Sequence, residues 1–134
     1  MTDLVFFYGT LMTGFMRAGR SRIDPKLTPV GRGSIRATLF DLGIYPAAIP
    51  ASDERVIGEV HRMSDVESVL AALDEIEGYR PSQPDASLYT RVETPVTLDD
   101  GRVEQAWAYF YNAPLGQAQR IESGDDLQHL KVKP

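Results

Sequence analysis

Residues 88–111 read LYTRVETPVTLDDGRVEQAWAYFY, and this stretch decides the fold class. Two runs rich in β-branched and aromatic residues, Leu88 to Leu98 and Val103 to Tyr111, flank Asp99-Asp100-Gly101-Arg102. A short connection containing Asp-Gly turns the chain back on itself, so the runs are expected to pair as an antiparallel hairpin. Pro95 brings no N–H to a ladder, which predicts an edge position or a bulge. Tyr89, Arg91 and Glu93 alternate with Val92 and therefore share one face of the strand. On that face an ion pair of Arg91 with Glu93 or Glu104 is expected, with carboxylate binding as the alternative.

Working outward, Val5-Phe6-Phe7-Tyr8-Gly9-Thr10-Leu11 is an apolar run that stops at a glycine. A strand broken there leaves backbone N–H groups without partners, and such groups bind anionic oxygens. Met12 to Arg22 reads as a loop with one helical turn, and a strand is expected from about Ser34 to Leu42. Gly43-Ile44-Tyr45-Pro46-Ala47-Ala48-Ile49-Pro50 reads as an apolar loop, because each proline disfavours helix in the residue before it. A further strand is expected over Arg55 to Arg62. Asp65 to about Glu77 is the clearest helix, with Ser64 and Glu67 in a capping-box pattern and Gly78 as its stop. Ser82 to Ser87 reads as a loop, and the tail from Glu122 as polar and peripheral. Strands outnumber helices and do not alternate with them. The expected class is α+β: a strongly curved sheet or small barrel with one principal helix packed on it.

Composition limits the function. A chain of 134 residues suits one domain, 1–134, and a net charge of −5 with no basic run gives no general attraction for nucleic acid or an anionic membrane. The absence of cysteine excludes disulfides, thiolate nucleophiles and thiolate-bound metals. No signal-peptide pattern or long apolar span is visible, so a cytoplasmic protein is the expectation. His61 and His129 are far apart and have no spaced ligand set, so no metal site is expected. No Gly-x-Ser-x-Gly elbow occurs, and Gly31-Arg32-Gly33 lacks the rest of a dinucleotide loop.

The helix carries one misplaced charge. Val66, Val69, Leu70, Leu73 and Ile76 form an apolar stripe at helical spacing. Asp65, Glu67, Asp74 and Glu75 are placed off or beside that stripe. Glu77 falls four residues after Leu73, seven after Leu70 and eleven after Val66, within it. A core-facing carboxylate at a helix C-terminus is disfavoured in its charged form by burial and by the helix dipole. Both effects push its pKa towards the range a general acid/base needs. The alternative is a frayed helix end with the carboxylate turned to solvent.

Tyr8-Gly9-Thr10-Leu11, followed by Leu73-Asp74-Glu75-Ile76-Glu77-Gly78-Tyr79, resembles the gamma-glutamyl cyclotransferase-like family, including its avirulence-induced-gene-like branch. Gly58-Glu59-Val60, Tyr89-Thr90-Arg91 and Ala106-Trp107-Ala108-Tyr109-Phe110-Tyr111 extend the similarity, which runs from about Leu4 to Tyr111. The resemblance implies a small mixed β-barrel with flanking helices. It also implies cyclisation of a small gamma-glutamyl compound to 5-oxoproline with release of an amine or amino acid. Carried onto this chain, Glu77 is the catalytic acid/base, and Tyr8, Gly9, Thr10 and Leu11 form the substrate-binding turn. Tyr45, Tyr89 and Tyr109 are further substrate-binding candidates.

Such a reaction needs no cofactor, because the substrate's own α-amine is the nucleophile. The turn amides hold either the substrate carboxylate or the developing oxyanion. Met12 stands where the gamma-glutamylamine-specific branch typically has lysine, and the Tyr-Gly-Ser-Asn form of enzymes acting on gamma-glutamyl amino acids is missing. Both departures leave the substrate open, including a gamma-glutamyl group on a biosynthetic intermediate. The competing reading is a non-catalytic module of the same fold that binds a small carboxylate ligand. Tyr8 is either a pocket residue or a core residue with its hydroxyl at the rim, and Tyr45-Pro46 either walls the cavity or packs on the barrel.

Overall fold

A computed structural model describes residues 2–8, 24–42, 46–116, 118–121 and 124. Among them lie strands β1 (Leu4–Phe7), β2 (Leu27–Asp41), β3 (Pro46–Met63), β4 (Tyr89–Leu98), β5 (Val103–Tyr111) and β6 (Gln119–Arg120), with one α-helix, α1 (Val66–Glu77).

The strands follow each other in the order β3-β1-β5-β4-β2, and β2 pairs back onto β3, so the sheet closes into a five-stranded barrel. β1 runs antiparallel to β3, from Leu4 opposite Arg62 to Phe7 opposite Glu59, and parallel to β5 at Val5 and Trp107. The long β2–β3 ladder runs from Leu27 opposite Met63 to Asp41 opposite Pro46. Between β2 and β4 the closure is short: Gly33 opposite Leu98 and Ser34 opposite Thr97. β6 adds beside the end of β2. The expected α+β class and small mixed barrel are observed.

Side-chain alternation along the strands divides the apolar residues into two clusters. Leu4, Phe6, Ile35, Leu39, Val56, Val60, Val96, Ala106, Ala108 and Phe110, drawn from all five strands, fill the barrel. Val5, Phe7, Met63, Tyr89 and Tyr109 point the other way and pack against Val69, Leu70 and Leu73 of α1. The helix therefore covers the outside of β1, β4 and β5. At Gly58 a Cβ would run into the Phe7 carbonyl and the Phe6 ring, so only glycine lets β3 pass this close to the end of β1.

Several expectations are corrected. β2 starts at Leu27, seven residues before the expected Ser34, and takes in Pro29 through a register shift between Pro29 and Gly31. Pro46 to Pro50 is strand, opposite Ala37 to Asp41, where an apolar loop was expected. Pro50 stands at the interruption between Arg36 and Ala37, where residues 51–54 leave the register, and Pro46 is the first residue of its strand, both places where a ladder tolerates proline. Asp65, not Ser64, caps α1: its side chain accepts from the Ser68 N–H at 3.3 Å. The β4–β5 hairpin matches the expectation, with Gly101 at φ +93° in the turn. Pro95 opposes Gln105 in β5, and the β4–β2 pairing reaches only Thr97 and Leu98, so it sits at an edge on that side. Of the tail beyond Glu122, Gly124 is described. It is buried, and its carbonyl accepts from the Ile57 N–H at 2.7 Å, so this point of the tail is packed on β3 rather than peripheral.

Candidate active site

The end of α1 sets the geometry. Gly78 adopts the left-handed conformation, φ +70° and ψ +33°. The Tyr79 N–H donates to the Asp74 carbonyl at 2.8 Å and the Gly78 N–H to the Glu75 carbonyl at 3.4 Å. These two bonds close the last turn in a Schellman arrangement, so the backbone at Glu77 is pinned rather than frayed. Glu77 is 6 % exposed, on the same buried face as Val69, Leu70 and Leu73. The stripe position therefore holds, and the solvent-turned alternative does not.

Asp74 is the correction with most consequence. Expected off or beside the stripe, it is buried one turn before Glu77 on the same face. Its carboxylate accepts from Arg91 Nε at 2.8 Å and Nη2 at 3.2 Å, a bidentate grip, and from the Tyr109 hydroxyl at 2.6 Å. Arg91 thus pairs with Asp74 rather than with Glu93 or Glu104. Burial by itself would lower the Arg91 pKa, but the hydrogen bond and charge of Asp74 raise it above its ordinary value. The guanidinium also lies 4.7 Å from the Trp107 ring centre and 5.7 Å from that of Tyr79.

Tyr109 stands directly across from Arg91 in the β4–β5 ladder. Burial pushes its phenol far above the ordinary range, helped by the hydrogen bond to Asp74 and the charges of Asp74 and Glu77, with Arg91 opposing. The phenol is therefore protonated and within electrostatic reach of the Glu77 carboxylate. Tyr8, half-buried just past β1, donates its hydroxyl to the Tyr109 carbonyl at 2.6 Å and accepts from the Ala48 N–H at 3.2 Å. One tyrosine thereby ties the ends of β1, β5 and β3 together. Tyr89 is buried beneath α1 with its ring edge-on to Tyr111, centres 5.3 Å apart.

The structure thus places Glu77 and Tyr109 on the helix-covered side of the barrel, joins Tyr8 to the Tyr109 backbone carbonyl, and adds Asp74 and Arg91. Gly9, Thr10, Leu11 and Tyr45 lie outside the described residues. Asp74 was legible by the criterion that found Glu77, since it follows Leu70 by four residues and Val66 by eight. No sequence signal gave its partner. Among the described residues no group of three or more His, Asp or Glu is placed to hold a metal, and no helix is long and apolar enough to cross a membrane. His61 is buried with Nε2 3.3 Å from Glu59 Oε1 and its ring 5.2 Å from that of Phe7. A cavity of ≈ 270 Å³ opens where residues 51–54 leave the ladder, with Thr38, Asp53, Glu54 and Arg55 in its wall. None of the sequence-derived site residues lines it. Of its charges, Glu54 is engaged by Thr38 and Arg120, and Arg55 by Ser34.

The profile of the family described as Gamma-glutamyl cyclotransferase, AIG2-like matches residues 5–126. The Gamma-glutamylcyclotransferase family protein YtfP of Escherichia coli K12 is 32% identical over 130 residues, covering 95% of this chain and 98% of that protein. The solution structure of E. coli ytfP superposes with a TM-score of 0.66 at 31% identity, over 94% of this chain and 97% of that one. Two crystal structures share the fold: a mouse AIG2-like protein (TM-score 0.67, 23% identity, 90% of this chain and 86% of that one) and YkqA from Bacillus subtilis. With YkqA the TM-score is 0.70 at 23% identity, over 98% of this chain, which spans only 42% of that one. The matched profile takes in residues 8–11, Glu77, Arg91 and Tyr109 together, and the chain belongs to the gamma-glutamyl cyclotransferase, AIG2-like family.

Proposed function

We propose that this protein is a cyclotransferase that closes the gamma-glutamyl group of a small compound into 5-oxoproline and releases an amine or amino acid, with Glu77 as general acid/base. The observation that carries the reading is the Glu77 carboxylate, buried at a pinned helix end on the face that Val69, Leu70 and Leu73 share with Asp74. Taking a carboxylate out of water at such a position costs the fold, and buried ionisable groups of this kind cluster at functional sites.

The reaction balances without a cofactor. The substrate enters with its α-amine as ammonium, and Glu77 takes one proton. The freed nitrogen pair attacks the side-chain carbonyl carbon, and the carbonyl π pair moves to oxygen. As the tetrahedral intermediate collapses, the bond to the departing nitrogen breaks, and that nitrogen receives the proton from Glu77. The second proton of the attacking nitrogen follows by the same carboxylate, so the departing amine leaves as ammonium and the ring keeps one N–H. The protein's contribution is to fold the substrate into a ring-closing geometry and to move protons between two nitrogens. In this reading Tyr8, Gly9, Thr10 and Leu11 hold the substrate carboxylate or the oxyanion, and Tyr45, Tyr89 and Tyr109 line the space around it.

The test is 5-oxoproline release from a panel of gamma-glutamyl amines, gamma-glutamyl dipeptides and glutathione. Turnover of at least one class is expected. If no member of the panel is turned over, the assignment fails, and ligand-induced thermal stabilisation without product would then identify a binding module.

A further inference from the structure

The Asp74–Arg91 pair has no part in the reaction as written, yet Asp74 shares the buried helix face of Glu77 and is densely hydrogen-bonded. One Asp74 carboxylate collects three hydrogen bonds, two from Arg91 and one from Tyr109. Side-chain exposure is 17 % for Arg91 and 11 % for Asp74. A pair this desolvated stabilises a fold poorly, because apolar residues of similar volume serve as well or better. Its effect on Tyr109 is more telling. A neutral phenol has one hydrogen to donate and lone pairs with which to accept. At 2.6 Å from Asp74 Oδ1 the Tyr109 hydrogen is committed, so towards any other group the oxygen acts only as an acceptor. An acceptor beside a carboxylate suits an ammonium, whose three N–H groups need partners.

We propose that Asp74, held by Arg91, is a positioning residue that commits the Tyr109 hydrogen away from the reacting atoms, so that the Tyr109 oxygen accepts an N–H of the substrate's α-ammonium beside Glu77. The inference rests on the reading of Glu77 as acid/base. Tyr109 then orients the nucleophile, one N–H on the phenol oxygen and another towards Glu77, and the nitrogen pair freed by deprotonation is aimed at the carbonyl carbon. The reaction requires an unblocked α-amine, and this pair of acceptors is what would recognise it.

The experiment is a double-mutant cycle on kcat/KM for 5-oxoproline release, with Tyr109→Phe, Asp74→Asn and the double variant, and thermal unfolding of each. Loss of one hydrogen bond to a charged group predicts a fall of roughly tenfold to a hundredfold for Tyr109→Phe. Asp74→Asn is expected to fall comparably, because a neutral amide offers one acceptor oxygen in place of two and cannot hold both Arg91 nitrogens and the Tyr109 hydrogen as the carboxylate does, so the hydroxyl is no longer committed. The double variant should be no worse than Tyr109→Phe alone, since Asp74 acts through that oxygen. A purely structural Asp74 would instead lower unfolding temperature and multiply its effect onto that of Tyr109→Phe. If Asp74→Asn does not fold, Arg91→Lys, which keeps the charge but not the bidentate grip, takes its place in the cycle. Wild-type turnover lost in Glu77→Gln but within twofold of normal in Tyr109→Phe and Asp74→Asn overturns this inference and leaves the function standing. An inactive wild type overturns both.

Discussion

At the residue scale, one turn of helix carries two buried carboxylates in different environments. Asp74 is satisfied by Arg91 and Tyr109, while Glu77 sits at the pinned helix end. The Tyr109 phenol bonded to Asp74 gives a pH prediction. Its folded pKa is raised above the ordinary 10.0, so the folded state holds that proton more tightly than the unfolded chain does. The resulting stabilisation is fully present below pH 10 and declines as pH rises above it. Wild-type unfolding temperature should therefore fall between pH 10 and 11 more steeply than that of Tyr109→Phe. Parallel slopes would mean that the phenol titrates normally. Glu77 was legible because its spacing from Leu73, Leu70 and Val66 is arithmetic on a single helix. The partner of Asp74 was not, because Arg91 reaches it across 17 residues and a loop whose path depends on Gly78.

At the element scale, the left-handed Gly78 both ends α1 and aims the chain towards β4, where the Leu88 N–H returns to the Gly78 carbonyl at 3.2 Å. A Cβ at that position meets open space, the nearest atom being Leu88 Cβ at 3.7 Å, so the cost of substitution is conformational. Gly78→Ala should lose about 1–2 kcal/mol in urea unfolding, the penalty of a side chain in the left-handed region. It should also lower activity, because the turn that holds Glu77 loosens. The helix and the hairpin could be read from sequence because capping, stripe and Asp-Gly turn are local signals. The long β2–β3 ladder could not: Pro29, Pro46 and Pro50 read as breakers, and the register shifts at Pro29/Gly31 and Arg36/Ala37 absorb Pro29 and Pro50 while Pro46 opens its strand.

At the scale of the whole molecule, the barrel is closed by a short seam, the two residue pairs joining β2 to β4. A Cβ at Gly33 would lie 2.8 Å from the Thr97 carbonyl oxygen and 3.0 Å from Val96 Cγ1. Gly33→Val should therefore pry the seam apart and cost about 1–3 kcal/mol by overpacking. Amide exchange in β4 should rise more than in the β1–β3 ladder. Uniform exchange across the barrel would show that closure does not depend on this seam.

The central claim is that one buried carboxylate moves the protons of ring closure, and Glu77→Gln tests it most directly, because the amide keeps the shape but neither takes up nor gives up a proton near neutral pH. With a substrate the wild type turns over, the account predicts an unchanged unfolding temperature and a fall in kcat of roughly a hundredfold or more, the usual contribution of a general acid/base. A folded Glu77→Gln protein that releases 5-oxoproline at the wild-type rate would contradict it.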